Sequence, residues 1–284
     1  MTHSLPAISP SRAKLFYQCP LKFRFTMVDR LYEPPSKEAL RGTLVHSVLE
    51  HLFDLPAHQR TEEAAQQMLS TRWDALKGDD RTSKDIATMF ETSDELSAWF
   101  ESARPLIHSY FALETPAYLQ PAAREQHFDA LLPNGIAIRG VIDRVDATTD
   151  GKLRIIDYKT GKSPSPRFQA DMIFQMRFYA SALYLMEHNL PLRTQLLFLK
   201  DARTLTYDPV ERDVDAMIDQ LTALWADIEM RLDSGLFEEK PGPLCAWCSF
   251  QQYCPAFEGV PPEISSEGIK HLRKVKRGSQ ADQG

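Results

Sequence analysis

The chain has 284 residues, 43% hydrophobic and 25% charged, with a formal net charge of −6. That is a globular composition with room for a large core, and no run of about 18 apolar residues offers a membrane-spanning helix. The net charge excludes a general nucleic-acid coat but not a local basic groove, because residues 60–101 are acid-rich while 11–24 and 270–277 are basic. The opening residues lack the apolar core of a secretory signal, so a cytoplasmic protein with reduced or metal-bound cysteines is expected.

In chain order, Ser9-Pro10-Ser11 predicts a cap for a short helix through Ala13–Tyr17 that Cys19-Pro20 halts. Basic and aromatic residues interleave over 22–25 as an amphipathic segment. Glu33-Pro34-Pro35-Ser36 is a linker. The helix expected over 41–53 carries Val45, Val48, Leu49 and Leu52 as its apolar stripe, with His46 at the border. Two further helices are expected over 61–77 and 83–113. The period then changes to 2. Strands are predicted over 125–132, 136–146 and 153–159, joined by hairpin signals at Asn134-Gly135 and Asp150-Gly151. A long helix over 168–188 follows, placing Gln175 and Tyr179 one turn apart on an otherwise apolar face. Buried amides need partners, so this pair bonds within the protein or faces a ligand. Strands over 194–200 and 203–208 precede a helix over 211–234, and the basic stretch 263–284 is expected as a flexible tail. This order predicts a mixed α/β fold in which the later strands join the sheet after a helical crossover.

Two features carry chemistry. Asp157 and Lys159 share one face at the end of their strand, an acid beside an ammonium. Alone they read as a surface ion pair; with Asp143 they suit a hard-metal site for Mg²⁺ or Mn²⁺ of the kind phosphodiester cleavage uses. Cys19, Cys245, Cys248 and Cys254 are four thiols, three of them in a C-x2-C-x5-C run. Their spacing admits structural Zn²⁺ or a [4Fe–4S] cluster, and the single C-x2-C knuckle tilts toward the cluster.

GVIDRVD, IIDYKTGK and the Gln175/Tyr179 pair, in that order, resemble the PD-(D/E)xK nuclease superfamily, specifically its RecB-like exonuclease branch. GTLVHSVLE resembles that branch's helical histidine motif and SPSRAKLFYQCPLKFRF its opening, so the likeness extends from Ser9 to Pro255. The resemblance implies a restriction-endonuclease-like core, a mixed central sheet flanked by helices, within a single nuclease domain over 1–262. That domain would comprise an added helical region (41–115), a catalytic core (120–210) and cluster ligands at 19 and 245–254.

It implies Asp143 and Asp157 as metal-binding acids, His46 and the Tyr158 carbonyl as further metal ligands, and Lys159 as the partner of the attacking water. Glu125 would be an additional acid, and Gln175 and Tyr179 would line the nucleic-acid channel. Iron–sulfur members of this branch have one cysteine before the core and three after it, which implies a [4Fe–4S] cluster joining the two ends here. The expected activity is a metal-dependent DNA nuclease, a single-strand exonuclease of repair or recombination. Without G-x-x-x-x-G-K-[ST] the chain would work alone or beside a separate helicase. Trimming of DNA ends in CRISPR adaptation and a noncatalytic nucleic-acid-binding scaffold are the alternatives; the intact Asp143, Asp157 and Lys159 set argues against the scaffold.

Overall fold

The computed structural model describes residues 5–277. It opens with helices α1 (Pro10–Gln18) and α2 (Pro20–Phe23) and a π-helical turn over Arg24–Val28. Four of the next five helices are α3 (Lys37–Leu52), α4 (Glu62–Lys77), α5 (Asp80–Met89) and α6 (Ser93–Glu101); the fifth is α7 (Arg104–Leu113). Strands β1 (Pro121–Leu131), β2 (Ala137–Ala147) and β3 (Leu153–Lys159) follow, then α8 (Ala170–Glu187), β4 (Arg193–Phe198), β5 (Arg203–Tyr207), α9 (Glu211–Ser234) and α10 (Ser266–Leu272).

The five strands form one sheet in sequential order. Only β3 and β4 run parallel, because only they are joined through a helix, α8; the other neighbours are antiparallel. Successive residues of β3 point to opposite faces. Ile155 faces a core with Phe128, Phe178, Leu221 and Trp225 under α8 and α9, while Ile156 and Tyr158 face a second core with Val48, Trp73, Trp99 and Tyr110 of the helical region. The fold is therefore α/β, with the sheet between two helical layers.

The expected helix over 83–113 is three helices. Thr92 breaks it, its hydroxyl accepting the N–H of Glu95 to cap α6, and Pro105 opens α7 at a position where a missing N–H costs nothing. Cys19-Pro20 likewise restarts rather than ends the N-terminal helix: the thiol caps α2 by accepting the N–H of Lys22. The stripe Met217, Leu221, Leu224, Trp225, Ile228 and Leu232 is buried along α9, which stops at Gly235 in the left-handed conformation, φ 72°.

The stretch expected as a flexible tail is folded through Val275; residues 278–284 lie outside the described residues. Leu272 and Val275 are buried, and Lys276 bridges to Ile136. At Gly268 the approach is so close that a Cβ would stand 1.9 Å from the Val28 carbonyl oxygen, so only glycine fits against the π-helical turn. Buried Arg24 secures the same junction, donating to Asp29 and to the Pro262 carbonyl, while Asp29 accepts the Ser265 N–H at 2.9 Å. The basic residues that suggested a solvated tail lie on the outside of this packed segment.

Candidate active site

The ladder between β2 and β3 runs from Ala147↔Leu153 to Arg144↔Ile156 and there it ends. Beyond it β3 stays with β4 as far as Lys159↔Phe198. The freed edge of β2 is taken by the N-terminal segment: the Ile8 N–H donates to the Ala137 carbonyl and the Arg139 N–H to the Ile8 carbonyl, both at 2.8 Å. The sheet is thus forked, with Asp143 on one prong and Asp157 on the other. Asp143 Oδ2 spans the fork and accepts the backbone N–H of Tyr158 at 2.7 Å.

Three further groups close on the fork. His46 of α3 brings Nδ1 to 3.4 Å from Asp143 Oδ2, its ring edge-to-face with Tyr158. Glu125 lies opposite Asp143, between the pairs Arg124↔Arg144 and Gln126↔Ile142, and its φ of 43° is a left-handed kink inside β1. For a residue with a Cβ, such a conformation costs on the order of 1–3 kcal/mol and marks a position held by its surroundings. One ligand atom each from His46, Glu125 and Asp143 lies within 4.8 Å of the others. Asp157 is buried and stands outside this trio, acting on it through the charges of Asp143 and His46. Its Oδ2 lies 2.6 Å from Lys159 Nζ, without the angles of a hydrogen bond, and its Oδ1 accepts from Gln175 Nε2 at 2.9 Å. Gln175 also donates to the Tyr179 hydroxyl at 2.9 Å, so the pair one turn apart on α8 bonds internally and reaches the acid as well.

The electrostatics follow from crowding carboxylates away from water. Burial and the nearby Asp143 raise the Asp157 carboxyl, against the pull of Lys159. Burial, then Asp143 and Glu50, push Glu125 up to about 7. Burial disfavours charge on His46, but Asp143 and then Asp157 outweigh it and hold the imidazole at about 9. At neutral pH the cation-free fork therefore keeps a proton on His46 in place of a metal.

A ligating imidazole must give that proton up. Binding of Mn²⁺ at pH 7.5 is expected to release about one proton or more, and affinity is expected to climb until the pH passes about 9. The same raised pKa stabilises the cation-free fold fully below pH 6.5, a contribution lost as the pH rises through about 9. Titration calorimetry in two buffers of different ionisation enthalpy measures the release. His46→Gln should remove most of it, and equal heats in both buffers for the native protein would refute it.

The site opens two ways. His46 and Glu125 line a cavity of about 510 Å³ with Gly42, Thr43, Ser47 and Glu50, while Lys159, Gln175 and Tyr179 line one of about 590 Å³ beside α1. Sequence reasoning missed Glu50 and also Arg144, which is buried beside the site. The Arg144 guanidinium donates to both carboxylate oxygens of Glu114 at 2.8 Å, to Asp146 at 3.0 and 3.1 Å, and to the hydroxyl of Tyr158 at 2.7 Å. Tyr158 itself stands buried between Asp157 and Lys159, its N–H on Asp143 and its phenol on Arg144.

The four cysteines are free and partly buried, and Cys19, Cys248 and Cys254 pack against the same core cluster. Burial raises the Cys254 thiol, and the charges of Cys19 and Cys248 act on it too, so these three are neighbours in space. Backbone N–H groups of Lys22 and Gly242 point at the sulfurs of Cys19 and Cys245, at 3.4 and 3.3 Å.

The Gene 69 proteins of Mycobacterium phages L5 and D29 are 25% and 24% identical to the chain, each match covering 89% of it and 98% of the phage protein. A subunit of the ATP-dependent helicase/deoxyribonuclease of Streptococcus equi subsp. zooepidemicus strain H70 is 28% identical over 163 residues, 56% of this chain but only 14% of that larger protein. A crystal structure of a candidate exonuclease from Eubacterium rectale shares the fold at a TM-score of 0.54 and 16% identity, over 85% of this chain and 86% of that one. The profile of one family covers residues 7–255. It takes in both prongs of the fork, His46, the Gln175/Tyr179 helix and all four cysteines, and by it this chain belongs to the PD-(D/E)XK nuclease superfamily.

Proposed function

We propose that the protein is a Mg²⁺- or Mn²⁺-dependent deoxyribonuclease that degrades single-stranded DNA from its ends. The observation that carries this reading is the fork itself: His46, Glu125 and Asp143 within 4.8 Å of one another, beside a buried Asp157 touched by Lys159. The donor set fits a hard divalent cation. It is rich in carboxylate oxygen with one imidazole, and Asp157 Oδ2 is a buried acceptor with no hydrogen-bond donor on it. His46, Asp143 and Asp157 would hold the ion, with Glu125 and the Tyr158 carbonyl completing the set. Such a cation polarises the phosphoryl group and acidifies a water molecule.

The remaining work falls to the chain's own groups. Lys159 Nζ, at the mouth of the cavity, orients the attacking water and offsets charge growing on the phosphoryl oxygens. The water oxygen bonds to phosphorus as it gives up a proton to solvent, the bond to the deoxyribose oxygen breaks, and that oxygen takes up a proton from solvent. Gln175 fixes the Asp157 carboxylate through Oδ1, and Tyr179, kept protonated by burial, fixes Gln175 in turn. The test is hydrolysis of 5′- and 3′-labelled single strands with Mg²⁺ or Mn²⁺, with free and blocked ends. Chelator should stop it and a blocked end should slow it; cleavage that ignores both would overturn the reading.

Cys19, Cys245, Cys248 and Cys254 are proposed to hold a structural [4Fe–4S] cluster that fastens α1 to the C-terminal segment. The reading is supported by four free thiols, three of them packed against one core cluster, and by backbone N–H groups on two of the sulfurs. Anaerobically purified protein is expected to be brown and to contain about four iron atoms per chain. Cys254→Ala should lose the colour and lower thermal stability. A colourless protein with one equivalent of zinc would refute the cluster. A role in repair or recombination, beside a separate helicase and in the cytoplasm, is the setting this reading proposes. The partial match to the streptococcal helicase/deoxyribonuclease supports it. No described helix is long and apolar enough to cross a membrane.

A further inference from the structure

The larger cavity does not end at Lys159. It continues between α1 and α8, over Ser9, Ser11, Lys14 and Tyr17 on one side and Phe174 on the other. Lys14 and Tyr17 are three residues apart on one helix and therefore neighbours on its surface. Tyr17 is 40% exposed, although it is a large aromatic ring, and it meets Phe174 edge-to-face at 6.2 Å. The ring lines the groove. Lys14 Nζ rests 3.2 Å from Asp171 Oδ2, and both side chains are well exposed. An ion pair so exposed has little stability of its own, so the ammonium is free to exchange that partner for another anion. The hydroxyls of Ser9 and Ser11, 3.0 Å apart, stand at the same wall.

Nothing in the proposed chemistry at the fork requires this wall. A cation and an exposed ring lining a trough that leads to a phosphodiester-cleaving centre are the elements that bind a single strand: charge for the backbone, a π-face for an unpaired base. A duplex keeps its bases stacked on one another and has none to offer Tyr17. We propose that the α1/α8 groove is the seat of the nucleotides flanking the scissile phosphate in a single-stranded polynucleotide. Tyr17 stacks one base and Lys14 leaves Asp171 to meet one phosphate. The inference rests on the single-strand nuclease reading above and adds to it the place where the strand is held and two positioning residues. It also gives the cysteine junction a consequence, because α1 leads directly into Cys19.

The test is binding of a fluorescein-labelled thymidine oligonucleotide to the full chain by anisotropy in EDTA, where no hydrolysis occurs. Tyr17→Ala is expected to weaken binding about 5- to 150-fold, the range of one lost base stack, and Tyr17→Phe to restore it. On the same strand carrying abasic sites Tyr17→Ala should change nothing, a result that general damage to the fold would not produce. Lys14→Gln should lower the slope of log affinity against log salt by about 0.7, one phosphate of a single strand. A wild-type protein that fails to bind the strand, or variants that bind it as the wild type does, would overturn the groove. Metal-dependent cleavage surviving in those variants would leave the nuclease reading standing without it. Conversely, a wild type that binds and never cleaves would sink the nuclease reading and keep the groove.

Discussion

Asp157→Asn is expected to abolish divalent-cation-dependent DNA hydrolysis while leaving Tm equal or higher. The two halves of that result have one cause. The Asp157 carboxyl is buried beside Asp143, and its pKa is raised, so above its unfolded value the charge opposes folding. Asparagine removes the charge but keeps the shape and the oxygen that accepts from Gln175. On the proposed reading, what is lost is a ligand for the cation, whose interaction with the transition state amounts to several kcal/mol, or about a thousandfold or more in rate. Lys159→Gln should fall by about 10²- to 10⁴-fold, as expected for a group that positions and polarises the water. Cleavage is measured on end-labelled single strands, and stability by thermal melting of the same samples. Retained cleavage in both variants would remove Asp157 and Lys159 from the chemistry. Lost cleavage that tracks lost folding would remove only the claim of a stability cost carried by the active site.

Much of the architecture was legible because it is local. Alternation over 136–146 and the Asn134-Gly135 turn specify a hairpin, and the 3.6-residue stripe from Met217 to Leu232 specifies a helix. Helix breaks at Thr92 and Pro105 are also written locally yet are easily overlooked, since charged residues on a helix surface look alike on both sides of a cap. The end of the chain misleads for a related reason: in KHLRKVKR the two buried residues, Leu272 and Val275, are outnumbered by cations that stay in water. The site was legible as a set of residue types, yet its geometry was not. The fork exists because β2 exchanges β3 for Ile8, a pairing between segments some 130 residues apart, and strand register is not a property of either strand alone. The kink at Glu125 belongs to the same class. A left-handed glutamate has no sequence signal, and the cost is met by the groups that surround it.

Arg144 shows how far such non-local design reaches, and Arg144→Met is expected to be the most destabilising single change near the site. The side chain is 1% exposed and its donors are all engaged, by Glu114 from the end of α7, by Asp146 on its own strand and by the hydroxyls of Tyr158 and Tyr110. Removing it leaves the Glu114 carboxylate, 9% exposed, with Arg154 at 3.3 Å as its remaining ion-pair partner among the described residues. Breaking one side of a buried ion pair costs about 3–5 kcal/mol, because the survivor keeps its charge without its compensation. The loss should appear as a lower midpoint in urea with an unchanged slope. Asp146 is better protected, since Arg154 donates to it at 2.7 Å. The remedy therefore lies at Glu114: adding Glu114→Leu to Arg144→Met should recover a large part of the loss, by withdrawing the stranded charge. Equal destabilisation in the single and double variants would mean that packing against Phe53 and Tyr158, and not charge, holds this junction. Either way, cleavage should fall with the single change. Tyr158 connects Arg144 to Asp143 and lies between Asp157 and Lys159, so a loosened guanidinium loosens both prongs of the fork.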